Sequence, residues 1–225
     1  MNSQAITAEK QYIANRFKVN FDDLSASYLR VETVLGAQST IDFNIQVQNG
    51  GTNIVSENKL EQTDQFIVTN IGFALKKVIA NATDAQQAAA RLYTWVNPAA
   101  TIFDEANDAN LWAIYNGYLE ISLNRKTYVP AIDMRSFLRV PDAQQGLANA
   151  AIAGPIVYPF AADGFPNGLY GYFPVDYIRL NGFSLLTPTI VLPASVNMAG
   201  VADDNVAVLM FKGYLLSNGG NSNLV

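Results

Sequence analysis

The sequence predicts an all-β protein: an eight-stranded antiparallel β-sandwich with a short N-terminal helix and one inserted helix over residues 85–96. Three observations carry this. Residues 63–77 (TDQFIVTNIGFALKK) read with period two, Ile67, Thr69, Ile71, Phe73 and Leu75 on one face and Phe66, Val68, Asn70, Gly72 and Ala74 on the other. Residues 205–216 (NVAVLMFKGYLL) form a second long apolar run, and shorter alternating runs separated by Gly, Asn and Pro fill much of the rest. No internal repeat or linker divides the 225 residues, a length that one β-sandwich can occupy.

In chain order, residues 3–17 predict a helix that Ser3 can cap, with Ile6, Ile13 and Phe17 on one face at spacings of seven and four. Residues 1–24 are read as an N-terminal arm, used either to dock on a partner or to pack on its own domain. Residues 25–35 place Leu29, Val31, Thr33 and Leu35 opposite Tyr28, Arg30, Glu32 and Val34, and Gly36 breaks the run. Residues 39–48 alternate Ile41, Phe43, Ile45 and Val47 with Asp42, Asn44, Gln46 and Gln48, the pattern of a strand with one wet face. Asn49, Gly50 and Gly51 supply turn chemistry before the long third strand. Asp84 can cap an alanine-rich helix over 85–96, which Asn97 and Pro98 stop.

Strand pattern returns over 111–123 and 127–134, split by a turn at Asn124, Arg125 and Lys126. Residues 142–151 are small and polar, a short helix or a loop. Residues 153–174 crowd glycine, four prolines and aromatic rings, and predict a long ordered surface loop. A strand over 175–180 follows, then a turn at Asn181 and Gly182. Residues 185–192, with Pro188 inside and Pro193 after, predict an edge strand. The domain is expected to span 25–216, with 217–225 a flexible tail.

Composition excludes much chemistry. With no cysteine, disulfides and thiolate sites are absent; with no histidine, a Ser-His-Asp triad or a zinc site of ordinary composition is excluded. A net charge of −5 and a pI of about 4.7 with scattered basic residues argue against direct nucleic-acid binding. Charged residues are only 15%, which suits a surface covered by partners or one rich in uncharged polar residues. No run approaches about 18 apolar residues, so no transmembrane segment is expected, and no secretory signal is read at the N-terminus. No glycine-rich phosphate cradle occurs.

Eight antiparallel strands with long loops fit a sandwich of jelly-roll type, in which the third and eighth strands lie side by side in one sheet. That would join 64–77 to 205–216, the two most apolar strands. The helical arm, the strand pattern, and the texts EQTDQFIVTNIGFAL and VAVLMFKGYLL together resemble the single jelly-roll structural proteins of viruses, particularly bacteriophages. The resemblance implies a capsid-type virion subunit rather than an enzyme. Such a subunit is made in the host cytoplasm, self-assembles into a homo-oligomer or attaches to a shell, and has other virion proteins as partners. Unlike many coat proteins, this chain lacks a basic arm.

No catalytic residue, cofactor or metal is assigned. Counting an EF-hand from Asp104 puts Ala109 at the sixth position and Tyr115 at the twelfth, where Gly and Glu are needed, so the motif fails. A solvated turn is the better reading of residues 103–110, ahead of a looser Ca²⁺ site using Asp104, Asp108 and a distant carboxylate. Asp203 and Asp204 read as a soluble turn. The candidate interface residues are Ile6, Ile13 and Phe17 of the arm and Tyr158, Phe160, Phe165, Tyr170, Tyr172 and Phe173 of the aromatic loop. The same rings are weighed first as a satellite core under the loop, then as a subunit contact, and last as a sugar-binding surface of a lectin-like or adhesin-like module, the alternative function. A histidine-free glycosidase ranks third.

Overall fold

A computed structural model describes residues 3–45, 60, 63–81, 83, 85–86, 90, 92–96, 107–124, 126–138, 174, 176–182, 186–201 and 203–217. Helix α1 (Ser3–Phe17) leads into β1 (Ser25–Val34), β2 (Ala37–Asp42) and the long β3 (Gln65–Ile79). A 3-10 turn (Asp108–Leu111) and the one-turn helix α2 (Trp112–Tyr115) precede β4 (Tyr118–Leu123) and β5 (Lys126–Asp133). The strands β6 (Ile178–Asn181), β7 (Leu186–Asn197) and β8 (Asp203–Leu216) follow, with further 3-10 turns at Phe21–Asp23 and Met134–Phe137.

Among the described residues the strands form two antiparallel four-stranded sheets, ordered β1-β8-β3-β6 and β2-β7-β4-β5. As the sequence predicts, β3 and β8 are neighbours, in register from Gln65 opposite Leu216 to Ile79 opposite Asp203. One bulge, between Val68 and Asn70, interrupts them. Gly213 lies opposite Val68 there, where a Cβ would sit 1.8 Å from the Ile67 carbonyl oxygen, so only glycine fits. Between the sheets runs one apolar core, with Val31, Phe73, Leu75, Leu209 and Phe211 from the first and Ile41, Leu119, Ile121 and Ile190 from the second.

The helix expected over 85–96 does not extend through that range. Residues 85–86 are helical, but Tyr93 is extended and exchanges two 2.7 Å backbone hydrogen bonds with Leu75. Strand β6 pairs only with residues 65–68 of β3, leaving the far half of that edge needing partners, and the β-forming run 92–96 supplies one. The strand expected over 111–123 also begins late. Leu111, Ile114 and Tyr115 are buried at helical spacing, and the chain turns into β4 only at Gly117, whose missing Cβ would meet the Val191 carbonyl oxygen at 2.3 Å.

The edge strand expected over 185–192 is interior, since β7 pairs with β2 on one side and β4 on the other. Pro188 is tolerated because its carbonyl accepts from Phe43 just past the end of β2. In a strand the N–H it lacks would point to that same side. Pro193 lies in the stretch where β2–β7 register breaks. Strand β2 is shorter than the expected 39–48, although Phe43 and Ile45 beyond it are buried as the alternation requires. The expectations for Val47, for residues 142–151 and 153–173, and for the tail beyond 217 fall outside the described residues.

Candidate interaction surface and buried polar centres

Helix α1 lies on the outer face of the first sheet. Ile13 and Ala14 are buried there with Leu24, Ile67, Tyr214 and Leu216, and Phe17 packs half-buried beside them. The helix stops because Lys18 enters the left-handed region (φ 55°) and the Val19 N–H bonds the Ala14 carbonyl at 3.0 Å, a Schellman closure. Polar contacts rim the seam: the Tyr214 hydroxyl donates to Glu9 (3.1 Å), Lys10 sits 4.2 Å over the Phe21 ring, and Arg16 pairs with Asp176 at 2.9 Å. Burial first, and the Glu9 carboxylate second, push the Tyr177 and Tyr214 phenols above their ordinary value.

Of the arm residues read as an interface, Ile13 is therefore occupied by its own domain, Phe17 is partly so, and Ile6 is 40% exposed. Tyr158, Phe160, Phe165, Tyr170, Tyr172 and Phe173 lie outside the described residues. Three apolar side chains are exposed at one end of the first sheet, Val34 on the face the alternation set opposite the apolar one, and Ile79 and Val201 outside the strand runs the sequence marked. Val34, Ile79 and Val201 stand where β1 and β3 finish and β8 begins, Ile79 and Val201 being more than half exposed.

Two ionic groups near that end are buried. On the outer face of the first sheet, Glu32 takes two hydrogen bonds from Arg30, at 3.0 and 2.7 Å, and pairs with Lys76 at 2.5 Å. The side chains of Glu32 and Lys76 are almost wholly hidden. On the inner face, Lys77 and Asn205 are direct cross-strand partners, and Asp108 bridges them. Lys77 Nζ lies 3.0 Å from Asp108 Oδ2, and Asn205 Nδ2 donates to Asp108 Oδ1 at 2.7 Å and to the Met198 carbonyl at 2.9 Å.

Asp108 thus corrects the expectation of a solvated turn, for it is fully buried beneath the 3-10 turn and neutralised by a lysine. Adjacent β3 residues face opposite sides of the sheet, so Lys76 and Lys77 find separate buried carboxylates, a pairing invisible along the chain. Among the described residues no three acidic side chains cluster as metal ligands, and no helix is long and apolar enough to cross a membrane. Compared with family models, with characterised proteins and with solved structures, the chain matches none.

Proposed function

We propose that the chain is a virion structural protein, a jelly-roll subunit that assembles with copies of itself or attaches to a shell of other virion proteins. The observation that carries this reading is the strand order. β1-β8-β3-β6 packed against β2-β7-β4-β5 is the order an eight-stranded jelly roll takes when its strands are numbered along the chain. The low charge fraction and the exposed apolar ends Ile79 and Val201 support assembly as the role of that fold.

Light scattering after size exclusion, with electron microscopy of the same fractions, tests the reading. Closed or extended assemblies are expected, and Ile79→Asp with Val201→Asp should reduce them while leaving the circular dichroism unchanged. A monodisperse monomer at millimolar concentration, with no shell protein bound, would overturn it.

A further inference from the structure

We propose that Lys77 and Asn205 become joined by an amide bond between their side chains, formed by the folded protein itself with Asp108 as the general base and acid. The two residues are direct partners on the central strands of the first sheet, both on the inner face, so folding alone sets amine and carboxamide on the two oxygens of one carboxylate. Asp108 touches both reacting groups, Oδ2 at 3.0 Å from Lys77 Nζ and Oδ1 at 2.7 Å from Asn205 Nδ2. Leu111, Met198, Leu35 and Leu75 of the core are buried around these positions in the chain, and Asp108 and Asn205 are themselves essentially inaccessible. Water therefore competes little with an amine nucleophile there.

The chemistry needs no cofactor. A proton passes from the Lys77 ammonium to the Asp108 carboxylate across their contact, which discharges both groups and frees the amine lone pair. Nζ attacks Cγ of Asn205, forming the new C–N bond. The bond from Cγ to Nδ2 then breaks. The leaving nitrogen takes up the proton held by Asp108 and a second from the attacking nitrogen, and departs as ammonium. Asp108 returns to its carboxylate form. The leaving nitrogen already sits on the carboxyl group that must protonate it.

Asn205 has a further mark of such a role. Its buried Oδ1 has no hydrogen-bond partner among the described residues, a cost that a carboxamide serving only to pack would be expected to avoid. The product would tie the two central strands covalently, closing the chain between residues 77 and 205 against unfolding whether or not the protein assembles.

Intact mass of the purified full-length chain under denaturing conditions tests the bond without any variant. The expected mass is below that of the sequence by about 17 Da, the ammonia released by amide formation. Succinimide formation at an asparagine loses the same mass, so fragment spectra of the digest must show the Lys77 peptide joined to the Asn205 peptide, with no tryptic cleavage after Lys77. The unmodified mass overturns the proposal, as does a loss of about 18 Da with Lys77 joined to Asp108 instead. Asp108→Ala should retain the full sequence mass while Lys77 and Asn205 are intact; a linked product in that variant removes Asp108 from the chemistry.

Discussion

The two sheets share one core but differ on their outer faces. In the first, β3 is buried at nearly every position, and β8 almost as continuously, because α1 covers the Ile67, Tyr214 and Leu216 end while Ala90 and Leu92 pack over Ala74, Val78, Val206, Val208 and Met210. In the second, burial alternates. Leu119, Ile121 and Ile190 point inward, while Tyr118, Glu120, Thr189 and Val191 are at least partly open, with Thr189 donating to Asp42 at 2.7 Å. A sheet covered on both faces can hold charged groups away from water only if each is paired, and the Arg30–Glu32–Lys76 group shows this. The half-open sheet needs no such pairing. Among the described residues its outer face is the one open to polar contact.

Substitutions can break that comparison. The largest effect is expected at Gly213, where a side chain collides with the β3 backbone; Gly213→Val should cost more than about 3 kcal/mol and yield no folded protein by circular dichroism. Glu32→Ala strands a buried Lys76 and should cost about 3–5 kcal/mol by urea denaturation, whereas Glu120→Ala on the open face should stay within about 0.5 kcal/mol. Equal costs for these two would show that the outer faces do not differ.

A purely apolar version of the contrast pairs Met210→Ala, expected to cost about 2–4 kcal/mol, with Val191→Ala, expected to cost under about 1 kcal/mol; thermal melts distinguish them. Within the shared core, the Tyr115 hydroxyl is buried with no partner among the described residues, and burial raises its phenol above the ordinary 10.0. The folded state keeps that proton while the unfolded chain releases it. The associated stability is therefore complete at neutral pH and falls as pH rises past about 10. Tyr115→Phe should flatten the alkaline decline and be neutral or stabilising by up to about 1 kcal/mol at pH 7. Smallest of all is Arg16→Ala: its bridge to Asp176 is exposed at both ends, so α1 should lose no more than about 0.5 kcal/mol of docking, read as amide exchange in the helix.

Much of the fold was legible because strands declare themselves locally. Period two placed Leu29, Val31, Ile41 and Phe43 in the core, and the two most apolar strands proved to be neighbours. The local signal failed where neighbours in space set the outcome. Alanine-rich text predicted helix to residue 96, but the unpaired edge of β3 took Tyr93. Proline predicted an edge at 185–192, but β2 ends where Pro188 would have had to donate an N–H it lacks. Leu111, Ile114 and Tyr115 did carry a legible helical spacing, masked by the alternation of residues 118–123.

The buried centres were less legible still. Asp108 looked like one more acid in a polar run, and alternation sets Lys76 and Lys77 on opposite faces without showing that either meets a buried carboxylate. The sequence by itself determined where most of the strands lie and, away from the bulge at residues 68–70 that sends Ile67 and Ile71 to opposite faces, which of their faces are apolar, because alternation in a strand is a property of adjacent residues. Only the tertiary structure decided which charges are buried, which strand is interior and which lysine meets which carboxylate. Those depend on residues some 30 to 130 positions apart meeting across strands, as Lys77 meets Asp108 and Asn205.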